Sequence, residues 1–218
     1  MIDTHCHLDF YKDKQLDEII NSSEFFKVNK IINPGSNFDS NFRSQKLSEK
    51  YNNVYFAVGL HPEDVNNLDN ESINKIETLV NDKKCVAIGE IGLDYHYSDF
   101  DKDAQKDLFI KQLNLAVEYN KPVIIHTRDA EEDVLCILNN YKNLKFVIHC
   151  FSENIEFANK VINMGGIVSF TGLITFKNID KKILEVVSNI SIDKIMIETD
   201  GPYLTPQQFR GKQNKPEY

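Results

Sequence analysis

Apolar runs that end in a histidine or an acid recur along this chain, and they constrain its fold more than any other feature. Near-continuous apolar runs are typical of parallel strands that are buried on both faces. A buried strand rarely carries an imidazole or a carboxylate unless that side chain is paired or holds a metal. These runs therefore predict a parallel sheet whose strand ends build a polar site. They are Val86–Glu90, Pro122–His126, Phe146–His149 and Ile195–Asp200.

The N-terminal segment supplies one more polar strand end. Met1–Thr4 reads as a short strand and is followed by His5 and His7. Side chains at positions i and i+2 of a strand point to the same face, so both imidazoles are expected to emerge together, as metal ligands do. Two solvated or core histidines would be the alternative if no other strand end carried ligands.

Strand-like and helix-like segments alternate along all 218 residues. The predicted strands are 1–5, 30–34, 54–60, 85–90, 122–126, 146–150, 167–171 and 195–199. The predicted helices are 13–28, 39–51, 72–82, 102–119, 130–141, 153–164 and 178–189. Polar residues at C-terminal strand ends favour a (β/α)8 TIM barrel over a doubly wound sheet, because barrels carry their active sites there. We therefore predict a single barrel domain over 1–218.

Two local expectations concern helix boundaries. Asp129 and Glu132 have the spacing of a capping box, which predicts that they open the helix at 130–141. After the last strand no eighth helix is predicted, because Pro206 and Pro216 disfavour one. The barrel is thus expected to lack its final C-terminal helix.

Charge and composition limit the partners and the compartment. The net charge is −8 and no basic block occurs, so a non-specific grip on a nucleic-acid backbone should be poor and any polyanion must be held locally. No signal peptide and no apolar stretch of membrane-spanning length are visible. The four cysteines are read as core thiols in a reducing compartment. A cytoplasmic location without membrane association is therefore expected.

Seven segments together carry a family resemblance: Ile2–Asp9, Val58–Pro62, Ala87–Tyr95, Pro122–Arg128, Ile148–Ser152, Ile197–Leu204 and Phe209–Pro216. In this order they resemble the TatD-type metal-dependent deoxyribonucleases of the amidohydrolase superfamily. The resemblance runs from residue 1 to 218. The same family implies the barrel fold predicted above.

The resemblance implies two divalent cations per subunit, bridged by Glu90. Imidazole and carboxylate ligands suit Zn or Mn, and family members are often described as Mg²⁺-supported, so Zn, Mn or Mg is expected. Two dications carry more positive charge than the acidic ligands neutralise. The remaining positive charge can hold a phosphodiester at the site although the protein as a whole is acidic. The other implied ligands are His5, His7 and Asp200 for one cation, and His126 and His149 for the second.

The implied catalytic residues are Asp200, Glu90 and His61. A water activated by the two metals attacks phosphorus in line, while Asp200 orients this water and accepts its proton. His61 is expected to contact the phosphate or to protonate the leaving oxygen. A surface histidine that caps the turn at Pro62 is its alternative role.

Three further polar residues have less certain roles. Arg128 can fork onto a phosphate or pair with the acidic run 131–133. Asp94 can orient a ligand histidine or cap a loop. Glu198 faces the same way as Asp200, one layer deeper, and needs a buried partner that the sequence does not identify. Aromatic side chains after the fourth strand either stack bases or pack the loop: Tyr95, Tyr97 and Phe100.

The favoured function is hydrolysis of DNA phosphodiester bonds, as a 3′–5′ exonuclease acting on 3′ ends or single strands in DNA repair or degradation. The choice of DNA rests on the resemblance alone. One alternative is amide or ester hydrolysis of a small substrate, which the acidic surface and the three arginines favour. A truncated, non-catalytic metal-binding protein is the other, suggested by the missing helix. The oligomeric state is left open, with a monomer favoured.

Overall fold

Eight parallel strands pair in chain order and form the predicted (β/α)8 barrel. The structure is a computed structural model that describes residues 1–69, 71–99 and 101–218. Each predicted strand is present. Their bounds are β1 (Ile2–Asp3), β2 (Lys30–Asn33), β3 (Val54–Val58), β4 (Cys85–Asp94), β5 (Val123–Arg128), β6 (Phe146–Ile148), β7 (Ile167–Phe170) and β8 (Ile195–Ile197).

Helices follow the first seven strands, as the alternating pattern predicts. The described α-helices are α1 (Asp13–Phe25), α2 (Phe38–Lys50), α3 (Ser72–Glu77), α4 (Lys102–Glu118), α5 (Glu131–Leu138), α6 (Ile155–Asn163) and α7 (Lys181–Asn189). Side-chain caps set several starts, because a side-chain oxygen satisfies the free N–H groups of the first turn. The Asp101 carboxylate, for example, accepts hydrogen bonds from the backbone N–H groups of Asp103 and Ala104.

The predicted capping box at the start of α5 is wrong. Ala130 occupies the N-cap position, and no side chain caps this helix. Asp129 has a positive φ of 54°, and its carboxylate lies 3.1 Å from Nδ1 of His96. A contact with His96 of the neighbouring loop thus takes the carboxylate that the sequence pattern assigned to the helix.

Beyond β8, the described chain forms a 3₁₀ turn at Gln207–Phe209 and no α-helix, as predicted. The tail instead returns to the barrel through Asn214, which is fully buried. Its side-chain amide donates to the backbone carbonyl oxygen of Thr199 at 2.8 Å. The backbone carbonyl of Asn214 accepts from the Tyr11 hydroxyl at 2.6 Å. The outer face of β8 stays open to solvent, with Ile197 54% exposed.

Strand side chains alternate between the helix layer and the barrel axis. Phe56 and Val58 on β3 belong to the large buried cluster that also contains the apolar faces of α4 to α7. Ala57, between them, joins Ala87 and Ile124 in a separate small cluster. Because its neighbours face the helices, this small cluster faces the barrel axis beneath the polar strand ends.

Hydrogen bonds between the segments that follow the first and last strands close the barrel. The N–H of Asp200 donates to the carbonyl of His5, and the N–H of His7 donates to the carbonyl of Gly201, both at 2.8 Å. Below them the buried Asp3 carboxylate accepts from the backbone N–H and the hydroxyl of Thr199, at 3.0 and 2.6 Å. These contacts fix β1 against β8 directly beneath the strand ends.

The variant Asp3→Ala is expected to lower the free energy of unfolding by about 2–3 kcal/mol, because it leaves the buried Thr199 donors without an acceptor. Urea denaturation of metal-stripped protein measures this loss without a contribution from bound metal. Thr199→Val and the double variant complete a mutant cycle. Strictly additive losses in that cycle would contradict a direct coupling between the two side chains.

Two further predictions concern membrane segments and thiols. Within the described ranges, no helix combines the length and the apolar character that a membrane crossing requires.

All four cysteines are free thiols, and Cys6 and Cys85 are buried as predicted. Cys136 is exposed on the surface, so the reading of all four as core thiols is wrong at this position.

Candidate metal centre

Glu90 lies at the centre of the polar strand ends because β4 changes its alternation. Ile88, Ile91 and Leu93 all pack into the cluster beneath the helices. Strict alternation from Ile88 would send Glu90 outward as well. The register with β5 shifts between Ile88 and Ile91, and a bulge of this kind re-aims a side chain. The Glu90 carboxylate therefore points into the barrel, where it is 4% exposed.

Two glycines let the backbone approach this carboxylate closely. A Cβ on Gly59 of the neighbouring strand end would lie 2.5 Å from the carbonyl carbon of Gly89. A Cβ on Gly92 would lie 1.9 Å from the carbonyl oxygen of His126, and Gly92 also has a φ of +146°. Both distances are far below van der Waals contact, so any larger residue would displace Glu90 or His126.

One oxygen of Glu90 faces the ligands from β1 and β8. Oε2 lies 3.3 Å from Nε2 of His5 and 3.6 Å from Nε2 of His7. The two Nε2 atoms are 3.2 Å apart. Asp200 Oδ1 completes the group at 3.7 and 3.6 Å from the same two nitrogens. The structure thus brings together the three residues predicted to hold one cation.

The other oxygen of Glu90 faces the ligands from β5 and β6. Oε1 lies 3.0 Å from Nδ1 of His126 and 2.8 Å from Nε2 of His149. His61 joins this group, with its Nε2 3.4 Å from the same oxygen. Each carboxylate oxygen therefore has its own set of imidazoles, which is the geometry expected of a bridging ligand.

The donor set fits divalent cations. Zn²⁺ holds imidazole nitrogens at about 2.0–2.1 Å, so two ligands of one ion lie roughly 3.3 Å apart. The separations of 2.8–3.7 Å around Glu90 cover that value. Three groups in the described chain have the spacing to hold an ion: His5 with His7 and Asp200; His61 with Glu90 and His126; and His5 with His149 and Glu198.

Burial and neighbouring charges shift the pKa values of His7 and Glu90 in the direction that a metal ligand needs. Burial and the nearby His5 lower the pKa of His7 to about 3, so its imidazole is neutral and has a free lone pair. Burial alone would raise the pKa of Glu90, but His149, His5 and His61 outweigh it and hold that pKa well below its usual range. The carboxylate is therefore ionised although it is almost completely enclosed.

Two ligand histidines are backed by a carboxylate. Asp94 Oδ2 lies 2.9 Å from Nε2 of His126, which leaves Nδ1 of that ring facing Glu90. Asp94, the last residue of β4, thus has the contact that the orienting role requires, and its Oδ1 also accepts the backbone N–H of His96 at 3.0 Å, as the loop-capping alternative requires. Glu198 Oε1 lies 3.4 Å from Nδ1 of His149 and accepts the backbone N–H of Cys150 at 2.6 Å. The inward direction of Glu198 was predicted correctly from the sequence, but these two hydrogen-bonding partners were not.

His61 makes the capping contact that the sequence left as one alternative, and its other ring nitrogen faces the metal centre; its role toward a phosphate stays a prediction. Its Nδ1 accepts the backbone N–H of Glu63 at 3.3 Å and so caps the 3₁₀ turn at Pro62–Asn67. Its Nε2 faces Glu90, as described above, and the ring packs edge-on against His126 with centroids 4.4 Å apart. The cap thus sets the ring orientation that brings Nε2 into the centre.

Arg128 stands at the rim without the ion pair considered for it. Among the described residues it pairs with no member of the acidic run 131–133; its guanidinium lies over the Tyr97 ring, 5.5 Å from the centroid. The hydroxyl of Tyr95 donates to Asp133 at 2.7 Å, so this ring packs the loop. The third aromatic of that prediction, Phe100, lies outside the described residues.

A cavity of about 880 Å³ opens above the donor cluster. Phe10 and Tyr203, from the β1 and β8 ends, border it and are 41% and 55% exposed. The Phe10 ring stacks on His7 with centroids 4.8 Å apart, and Tyr203 meets Phe10 edge-on. This aromatic pair was not predicted from the sequence. In the sequence each ring stands three positions after a predicted metal ligand, and that spacing could have identified the pair.

Comparisons with known proteins identify the family. The family described as "TatD related DNase" matches residues 2–218. An uncharacterized metal-dependent hydrolase of Bacillus subtilis, YabD, is 42% identical over 100% of this chain and 86% of its own length. YcfH of Escherichia coli, also described as an uncharacterized metal-dependent hydrolase, is 35% identical over 99% of this chain and 83% of its own length.

Solved structures give the same result. YjjV, a TatD homologue from Escherichia coli, superposes with a TM-score of 0.94 at 30% identity, covering 100% of this chain and 85% of that one. A TatD-family hydrolase from Entamoeba histolytica gives a TM-score of 0.86 at 26% identity, with coverages of 100% and 87%. The chain belongs to the TatD family of metal-dependent hydrolases.

Proposed function

We propose that this protein hydrolyses phosphodiester bonds of DNA and removes nucleotides from 3′ ends or single strands. The observation that carries the proposal is the position of Glu90 between two separate sets of ligands. Sites of this kind hold two cations about 3.5–4 Å apart and clamp both oxygens of an in-line displacement. The family description as a DNase adds the choice of substrate.

The proposed cofactor is a pair of divalent cations, with His5, His7 and Asp200 around one and the β5 and β6 histidines around the other. The many imidazoles favour Zn or Mn, and Mg remains an alternative that the experiment below includes. When bound, such cations lower the pKa of a water molecule to about 7 and offset the negative charge of the phosphoryl oxygens.

The chain's own residues supply the proton transfers and the orientation. Asp200 lines the cavity beside His7, so its carboxylate is the group that we assign to take the proton of the attacking water. His61 faces the cavity beside Glu90 and is placed to contact the phosphate or the leaving oxygen. The exposed rings of Phe10 and Tyr203 offer flat apolar surfaces on which bases can stack.

A second candidate function is hydrolysis of an amide or ester bond in a small substrate. The observation that favours it is the charge at the cavity mouth. Glu63 and Asp64 line the cavity, and Arg128 is the one Lys or Arg side chain among its described lining residues. A long polyanion would meet this acidic edge, whereas a compact substrate would not. The third possibility, a truncated and non-catalytic metal-binding protein, gains no support, because all the predicted metal donors come together in one cluster.

Digestion of an oligonucleotide distinguishes these candidates. Metal-stripped protein is resupplied with Mg²⁺, Mn²⁺ or Zn²⁺ and incubated with a single-stranded oligonucleotide labelled at its 3′ end. We expect metal-dependent loss of the terminal nucleotide. Protein that binds metal, leaves every oligonucleotide intact and hydrolyses small amides or esters would move the assignment to the second candidate. The proposal of a cytoplasmic role in DNA repair or degradation is kept only with the first result.

Arg128→Ala is expected to raise KM for the oligonucleotide about 10-fold with little change in kcat, since one exposed charge-assisted hydrogen bond contributes about 1.5 kcal/mol. Steady-state kinetics at several salt concentrations measure the effect, which should shrink as salt rises. Arg210→Ala is the matched control, because Arg210 also lies over an aromatic ring, Phe176, but away from the cavity. Equal effects of both variants would remove Arg128 from the substrate site.

A further inference from the structure

Two glutamines on α4, Gln105 and Gln112, are completely buried although neither lines the cavity. They lie seven positions apart, which is about two turns of an α-helix, so they occupy the same face of α4. A buried primary amide needs hydrogen-bond partners for its NH₂ group and for its oxygen. For both glutamines these partners are backbone groups at strand ends of the metal centre.

Each amide binds the backbone of a single residue through two hydrogen bonds. Gln105 Oε1 accepts the N–H of Asp94 at 2.9 Å, and its Nε2 donates to the carbonyl of Asp94 at 2.8 Å. Gln112 Oε1 accepts the N–H of Leu60 at 2.8 Å, and its Nε2 donates to the carbonyl of Leu60 at 3.0 Å. A neighbouring strand can satisfy both groups of one residue in the same way. The two glutamines thus take the place of a strand.

The strands themselves explain why such partners are needed. The described pairing of β3 with β4 ends at Val58 and Ile88. Leu60 lies two residues beyond β3, and Asp94 is the last residue of β4. Both are buried, at 0% and 1% exposure. Without the glutamines, these buried N–H and C=O groups would lose their partners, which is costly enough to move the backbone.

The two residues that the glutamines bind belong to the same half of the metal centre. Leu60 directly precedes His61, whose Nε2 lies 3.4 Å from Oε1 of Glu90. The Asp94 carboxylate lies 2.9 Å from Nε2 of His126, and Nδ1 of that ring is 3.0 Å from the same oxygen of Glu90. One face of α4 therefore holds the backbone behind two neighbouring imidazoles.

We propose that Gln105 and Gln112 are positioning residues that fix this half of the centre to α4. Gln105 sets the carboxylate that orients His126, and Gln112 sets the backbone that carries His61. This role rests on the metal centre of the proposed function but not on its substrate. The ligands from β1 and β8 are held instead by the closure of the barrel. Loss of either glutamine should therefore disturb one half of the centre and leave the other half intact.

Gln105→Met and Gln112→Met remove the amides with little change in side-chain length or helix propensity. Each variant is the control for the other, because the two act on different imidazoles. Leu113→Ala is a further control. Leu113 follows Gln112 on α4 and is fully buried in the large apolar cluster, so its truncation loosens the packing of the helix while both amides remain.

The primary measurement is a set of long-range ¹H–¹⁵N spectra of the histidine rings, recorded on metal-stripped and on Zn²⁺-loaded protein. We expect the largest shift at His126 in Gln105→Met and at His61 in Gln112→Met. The signals of His5 and His7 should stay as in the wild type. Equal shifts of all rings, or no shifts, would overturn the proposal. The same pattern in Leu113→Ala would overturn it too, because helix packing alone would then explain the shifts.

Calorimetric titration of metal-stripped protein with Zn²⁺ is the second measurement. In Gln105→Met we expect one dissociation constant to rise about 10-fold, the lower end of what an orienting partner of a metal ligand contributes, and the other to stay unchanged. An equal rise of both constants, or no rise, would overturn the role of Gln105. Neither measurement uses an oligonucleotide, so failure of DNA cleavage would bear on the proposed function alone.

Thermal unfolding of each metal-stripped variant separates positioning from folding. If a methionine variant does not unfold cooperatively, Gln105→Asn or Gln112→Asn replaces it in both measurements. Asparagine keeps the amide but is one methylene shorter, so it cannot keep both backbone hydrogen bonds at their present lengths. We expect shifts at the same histidines, smaller than those of a methionine variant. Wild-type ring spectra from a folded asparagine variant would overturn the proposal.

Discussion

Asp200→Asn is expected to lower kcat for the oligonucleotide by about 10²- to 10⁴-fold, the usual contribution of a general base. The amide keeps the size of the carboxylate and one metal-binding oxygen, but it accepts no proton from water. The backbone N–H of Asp200 still donates to His5, so β1 and β8 remain joined. Single-turnover kinetics with saturating metal measure the chemical step.

Asp129→Asn is the matched control for this variant. Asp129 is an exposed acid that pairs with His96 and is absent from the cavity lining. The control should retain wild-type kcat, and metal analysis should find the same cations bound in both variants. Wild-type turnover by Asp200→Asn would remove Asp200 from the role of proton acceptor and leave it only as a ligand.

Glu90→Gln is expected to abolish simultaneous binding of two cations and to lower kcat/KM by more than about 100-fold. Residues that merely orient a ligand already contribute 10- to 100-fold, and Glu90 contacts both ligand sets directly. Removing its charge also removes the carboxylate that lies between the two ligand sets and offsets the charge of the cations. Equilibrium dialysis against Zn²⁺ or Mn²⁺, followed by metal analysis, measures the cations bound per chain.

Glu63→Gln serves as the control for Glu90→Gln. Glu63 lines the same cavity, but it is exposed and only its backbone N–H contacts His61. It should bind metal as the wild type does. Two tightly bound cations per chain in Glu90→Gln would contradict the bridging role, and the two ligand sets would then have to be independent sites.

Much of the metal centre follows from the sequence because parallel strands place their C-terminal ends at one edge. Runs such as Phe146–His149 combine a buried strand with a terminal imidazole, and that combination has few structural reasons other than a ligand. The alternation of strands and helices then gives the barrel. His5 and Asp200, at opposite ends of the chain, meet for this reason alone.

The remaining features depend on backbone details that periodicity does not reveal. Strict alternation along β4 would turn Glu90 toward the helices, and only the register shift after Ile88 turns it inward. Asp129 failed as a helix cap because its positive φ directs it to His96. The partners of Glu198 come from another strand end, and no spacing rule connects them.

The closure between β1 and β8 has a consequence for the time at which the centre comes into being. The Asp3–Thr199 contact joins residues that are 196 positions apart, and Asp200 lies just beyond it. A chain still on the ribosome holds His5 and His7 early but can bring them to their last ligand only after Asp200 has been made. No nascent fragment that stops before Asp200 can therefore assemble the whole ligand set.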